Sequence, residues 1–224
     1  DLRRGYRELE EHLDSLPWVE GAGFVYDIPL TADRQGTGVW VQGDGEFSQE
    51  NLRQVNFTFA TPGYFDAMGI DIARGRGFTF ADDGDAESVV VVNRAFVRLY
   101  LEGRDPLDTV VHAGFSMQEP RRIVGVVSAV RHDRVGTEST PQVYAPYAQV
   151  TWGRGMALAL KSPRPVGAVV ADLRSELGEA APAVRFYDPR SLQEVVADSV
   201  ADVRFTVTLL VLFAVVAAVL AVVG

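Results

Sequence analysis

The residues able to do chemistry in this chain are few and scattered. Its three histidines, His12, His112 and His132, lie too far apart for a paired metal site, and no H-E-x-x-H spacing occurs. His12 falls on the polar side of a helical pattern and reads as a solvated surface residue. His132-Asp133 sets a base beside a carboxylate, but sequence neighbours seldom present both side chains to one point, so the pair reads as a loop. Asp82-Asp83-Gly84-Asp85 has the acidity of a calcium loop without its alternating ligands or terminal glutamate, and reads as a solvated turn. Arg74-Gly75-Arg76-Gly77 has the charge to hold an anion and reads as a turn after a strand. Neither a phosphate-binding G-x-x-x-x-G-K-[ST] nor a G-x-S-x-G nucleophile elbow is present. With no cysteine there is no thiolate ligand, nucleophile or disulfide. The expectation is therefore no catalytic residue, no bound metal and no cofactor: a chain that is not an enzyme.

Composition narrows the class further. The 224 residues are 47% hydrophobic and 23% charged, enough for real cores and too apolar for disorder. A net charge of −9 opposes the phosphate backbone, so no nucleic acid is expected as a partner. All but one of the 21 basic residues are arginine, which reads as the codon usage of a GC-rich genome.

The elements that would position these residues follow from periodicity. Leu2, Tyr6, Leu9, Leu13 and Leu16 form one helical stripe, ended by Pro17, and Val19–Tyr26 reads as a strand. The same grammar returns late in the chain. Val166, Val169, Val170, Leu173 and Leu177 make a second stripe, Gly178 is a plausible stop, and Pro182 precedes a strand at Val184–Tyr187. Between them, strands are expected at Val39–Gln42, Gln54–Phe59, Ile70–Ala73, Ser88–Val92, Val110–Ala113, Arg121–Val127, Val143–Pro146 and Met156–Lys161. The valine run at 88–92 has the look of a strand buried on both faces. A short helix should begin at Thr61 as cap and Pro62 as first residue, face Phe65 and Met68 inward, and stop at Gly69. Another spans Asn93–Tyr100 with Phe96, Leu99 and Tyr100 on its apolar side. The fold class is α+β, with two packed subdomains. Residues 1–60 and 151–200 form a split α/β subdomain, and 61–150 an inserted strand-rich one.

The final stretch is different in kind. Phe205–Val223 holds 19 residues with no charge, proline or glycine. As a helix it would reach about 28 Å, close to the roughly 30 Å hydrocarbon core of a bilayer. Residues 201–224 are thus read as the start of a transmembrane helix in contact with membrane lipid, and the chain as a fragment of a membrane protein cut in or just after it. Ser191 and Glu194 have capping-box spacing, and the apolar positions from Leu192 to Val203 lead directly into that run.

Four blocks in fixed order resemble a known family. They are Val55–Asp85 (VNFTFATPGYFDAMGIDIARGRGFTFADDGD), Ser88–Asp108 (SVVVVNRAFVRLYLEGRDPLD), Arg121–Asp133 (RRIVGVVSAVRHD) and Pro141–Gln149 (PQVYAPYAQ). With LPWVEGAGFVYDIPL before them and DPRSLQEVVADSVADVRF after, they are similar to the MacB-like periplasmic core domain of FtsX-type ABC transporter permeases. The subgroup most alike is the duplicated permeases of acidobacteria. The resemblance implies a multi-pass parent protein in the bacterial inner membrane, with residues 1–200 extracytoplasmic. It implies a separate ABC ATPase subunit and a second permease copy or half as partners. The role it implies is mechanotransmission in efflux or export, relaying ATP-driven conformational change across the membrane. From the residues alone, an extracytoplasmic ligand-binding sensor of a membrane receptor would have the same architecture.

Overall fold

The computed structural model describes residues 2–26, 36–113, 119–128, 140–149, 155–180 and 189–195, with residues 213, 214, 217 and 221. Two compact units divide the chain: Asp1–Pro29 with Asp33–Pro163, and Leu30–Ala32 with Arg164–Gly224.

In the first unit, α1 (Leu2–Asp14) precedes β1 (Gly21–Val25), β2 (Gly36–Val41) and β3 (Arg53–Ala60). A four-residue α2 (Tyr64–Ala67) leads to β4 (Ile72–Gly75), then β5 (Val89–Asn93) and α3 (Arg94–Tyr100). β6 (Val110–Ala113), β7 (Arg121–Val127), β8 (Gln142–Pro146) and β9 (Ala157–Lys161) complete it. All nine strands hydrogen-bond into one sheet with the order β2-β6-β7-β5-β8-β3-β1-β9, β4 pairing with β7. β2 also pairs with β3, Thr37 opposite Val55, while its second half pairs with β6, Trp40 opposite His112. Strands β2, β6, β7, β5, β8 and β3 therefore close on themselves. A ring this small is filled by its own side chains.

That interior is Val39, Val41, Phe57, Val90, Val111, Ile123 and Val143 with their neighbours, and Phe96 of α3 and Leu101 just beyond it join the same cluster. The outer face of β5, β7 and β8 is covered too: Val89, Val91, Val124 and Tyr144 pack under Tyr64, Phe65, Ile70 and Phe78. This two-sided burial explains why β5 is five consecutive buried residues without alternation. Asn93 holds its end. Its Oδ1 accepts from the N–H groups of Phe96 at 2.9 Å and Gln142 at 3.0 Å, and its Nδ2 donates to the Thr140 carbonyl. One amide thus caps α3 and ties it to β8.

β1 and α2 meet backbone to backbone. A Cβ on Gly23 would stand 2.1 Å from the Tyr64 nitrogen, and one on Gly63 would stand 2.0 Å from the Ala22 carbonyl oxygen. The Thr61 hydroxyl, expected to cap α2, instead accepts from the Phe24 N–H at 2.7 Å, and Gly63 occupies the cap position. The local signal was outcompeted because a buried strand N–H needed an acceptor. Gly69 does end α2, at φ +64°.

Other expectations shift. β4 begins two residues later than expected, so Arg74 and Gly75 are strand rather than turn. Leu99 is exposed rather than packed, because α3 buries Ala95 and Phe96 instead. In the second unit, α4 (Val166–Ala180) continues through Gly178. The Ser191–Glu194 capping box forms: Ser191 Oγ accepts from the Glu194 N–H and donates to Oε2, which also accepts from the Ser191 N–H. Residues 192–195 are helical. The strand expected at Val184–Tyr187 and the pair His132-Asp133 lie outside the described residues. Among the described residues no helix is long and apolar enough to cross a membrane. Of the apolar run Phe205–Val223 only Phe213, Ala214, Ala217 and Ala221 are described, and all four are helical.

The close approach of β1 and α2 sets a sharp expectation. Gly23→Ala should cost about 3 kcal/mol by forcing two backbones apart, whereas Gly5→Ala, inside α1 with nothing within 4 Å, should gain roughly 0.5–1 kcal/mol. Urea unfolding midpoints of the two variants measure both.

Candidate functional site

The arginines of β4, α3 and β7 make the strongest concentration of chemistry in the first unit. Arg74 projects from β4 and its Nη2 donates to Asp105 Oδ2 at 2.8 Å, both side chains half in solvent. Arg76, two residues on, makes a two-pronged pair with Asp82, each bond 2.7 Å. Asp82 also accepts from the Thr79 N–H at 2.8 Å and the Thr79 hydroxyl at 3.1 Å. Burial works to raise the Asp82 carboxyl, but the Arg76 and Thr79 donors outweigh it and hold it below the ordinary aspartate value. The acidic run is thus split: Asp82 is a buried structural anion, and Asp83–Asp85 are the exposed turn expected. Arg122 on β7 pairs with Glu87, its Nε donating to Oε1 and its Nη2 to Oε2.

Between β4 and α3 lies an open cleft of about 310 Å³, lined by Ala73, Arg74, Arg94, Val97, Arg98, Pro106 and Val126. Arg94 and Arg98 stand one helical turn apart on α3 and therefore share a face. Three guanidiniums around a floor of alanine, valine and proline can receive an anionic group on an apolar body. Among the described residues the lining holds no nucleophile, imidazole or carboxylate.

His12 and His112 do not line this cleft. His112 on β6 stacks against Trp40, ring centres 5.1 Å apart, and Trp40 meets Phe47 at 5.9 Å. His12 is half-buried, its Nε2 enclosed without a hydrogen-bond partner. It is not the solvated residue its position suggested. Among the described residues no group of three histidine, aspartate or glutamate side chains is placed to hold a metal ion.

Two buried charges escaped the periodicity reading. Arg121, at the start of β7, is 6% exposed; burial lowers its pKa, and Glu119 at 3.3 Å is its salt-bridge partner. Glu10 of α1 is 1% exposed. It stands four residues after Tyr6 and three before Leu13, so it occupies the apolar stripe, and that was the available signal.

The Asp82 knot generates a testable outcome. Its stabilising effect is full above the ordinary aspartate pKa and is lost as pH falls through the lowered one. Asp82→Asn should therefore cost about 1–3 kcal/mol at pH 7 and flatten the loss of stability below about pH 4, as read by urea unfolding at both pH values.

Comparison with known proteins agrees with this architecture. The pattern of the family described as the MacB-like periplasmic core domain matches residues 5–176. The macrolide export ATP-binding/permease protein MacB of Mannheimia succiniciproducens is 26% identical over 123 residues, 54% of this chain and 17% of that protein. The chain thus spans about a sixth of that relative's length. The crystal structure of the periplasmic region of MacB from Actinobacillus actinomycetemcomitans superposes with a TM-score of 0.52 at 20% identity, covering 78% of this chain and 73% of that one. The extracellular domain of the noncanonic ABC-type transporter YknZ from Gram-positive bacteria gives 0.48 at 16% identity, over 77% and 78%. The chain belongs to the family of MacB-like periplasmic core domains.

Proposed function

We propose that this chain is the extracytoplasmic part of an ABC transporter permease of the efflux or export type. In this reading it does no chemistry itself and relays conformational change driven by ATP hydrolysis elsewhere. The family match over residues 5–176 carries the reading. The register of β1 and β9 supports the mechanical part. Gly21, where the chain enters β1, is paired with Lys161, where it leaves β9. The chain thus enters β1 and leaves β9 at neighbouring ends of one antiparallel pair.

That geometry suits a relay. A displacement delivered through either attachment acts on the β1–β9 pair, which is continuous with the closed ring through β3. A close-packed ring transmits displacement as a body, where a loose loop would absorb it. The pairing of β1 with β9 joins parts of residues 1–60 and 151–200, as in the division proposed from sequence with 61–150 inserted, while β2 and β3 of the first part pair with strands of 61–150. The run Phe205–Val223 would continue as a transmembrane helix in the inner membrane. The partners of this reading are a separate ABC ATPase subunit, a second permease copy or half, and membrane lipid.

The 224 residues contain no cysteine, so cysteines introduced among them stand alone in this part of the chain. Cysteine pairs introduced across neighbouring copies of the domain in the full-length permease should crosslink to different extents with ATP, with ADP and without nucleotide. Crosslinking that is indifferent to nucleotide state would refute the relay.

A further inference from the structure

α1 is fastened to the rest of its unit by carboxyl groups. Glu10 Oε1 accepts from the Gly63 N–H at 2.8 Å, and the carboxyl is also hydrogen-bonded to the Thr61 hydroxyl. Its second oxygen, Oε2, is buried and has no hydrogen-bond partner. One turn further along, Asp14 Oδ1 accepts from the Ala22 N–H at 3.1 Å. The surrounding charges are of the same sign. Glu11 and Asp14 on α1 act on Glu10, and Asp66 of α2 acts on Asp14. β1 carries no charge, and Glu20, just before it, pairs with Lys161. Of the arginines of α1, Arg4 pairs with Glu8, Arg7 pairs with Glu11 and lies over the Phe80 ring, and Arg3 acts on Tyr147. His12, also on α1, is not among the groups that act on Glu10. Among the described residues no cation acts on Glu10 or Asp14.

A buried carboxylate with no cation and one bare oxygen is expensive to keep charged. A proton on Oε2 removes the charge while leaving Oε1 free to accept from Gly63 and Thr61. We propose that Glu10 is a proton-operated latch on α1: the neutral acid seats the helix on the Thr61–Gly63 turn, and ionisation loosens it. Desolvation raises both carboxyls above their ordinary values, against the hydrogen bonds that lower them. The sign follows from linkage. The folded state holds its protons to higher pH than the unfolded chain. Docking is therefore firmest below the ordinary carboxylate pKa and weakens as pH rises through the raised one. Asp14 adds to the effect in the same direction. The latch stands on this geometry alone and is independent of the transport reading.

Amide hydrogen exchange of the 224-residue chain between pH 5 and pH 8 tests it, with protection in β5 as the internal reference. The ratio of α1 to β5 protection should fall as pH rises, by up to about tenfold per pH unit, the limit for a single proton. In Glu10→Gln the side-chain oxygen still accepts from Gly63 and Thr61, so the ratio should be high and independent of pH. Asp14→Asn should keep the pH dependence with a smaller amplitude. A wild-type ratio that is flat across the range, or a Glu10→Gln ratio that falls in parallel with the wild type, overturns the latch. So does a Glu10→Gln chain that fails to fold, since the amide mimics the seated form.

Discussion

β2 pairs on both of its edges, and the organisation of the first unit depends on that closure. Without the bond from β2 to β3, the strands β2, β6, β7, β5, β8 and β3 would be an open sheet with β2 as an exposed edge. With it, the inward side chains meet one another across the ring and exclude water with no second layer. The opposite face is then free to be covered, which α2 and the segment through Phe78 do. The β1–β9 pair can hang from β3 as an appendage with its own face to bury. A strand array fixed in this way has few soft modes, and that stiffness is what a part that moves as a body requires.

Charge is handled by a consistent rule around this frame. Arginines at the surface of β4 and β7 are matched with aspartate or glutamate, and the one deeply seated acid among these pairs, Asp82, receives four hydrogen bonds. Glu10 breaks the rule: it is buried against backbone and hydroxyl donors with no cation to balance it. A group whose charged form is poorly supported is set apart from one held by a bidentate arginine, because burial raises the pKa of the first while the arginine lowers that of the second. The helix that carries Glu10 leads directly toward β1 and the β1–β9 pair.

The cleft of Arg74, Arg94 and Arg98 could not be foreseen from spacing. Arg74 belongs to a strand and the other two to a helix some twenty residues later, and they share a space only because β4 and α3 both lie against β7. The arginine run at 74–77 was visible as charge, but a linear pattern does not say whether aspartates from 82 and 105 will fold back to neutralise it. His12 and His112 lie in separate environments, the first with its Nε2 enclosed and the second against Trp40.

Periodicity and local chemistry set the existence and type of nearly every described element, and the ordered blocks from Val55 to Gln149 carried the family. Helical stripes at 2–16 and 166–177, the valine run at 88–92 and the Ser191–Glu194 box were legible because each is decided by neighbours within a few residues. What only the tertiary structure decided was everything settled at long range. Thr61 gave its hydroxyl to Phe24 rather than to its own helix, β2 closed the ring, and Glu10 and Asp82 were taken out of solvent. Thr61 and Glu10 met backbone partners 37 and 53 residues away, which outweighed a local preference worth about 1 kcal/mol, whereas Asp82 was drawn in by Arg76 and Thr79 close by in sequence.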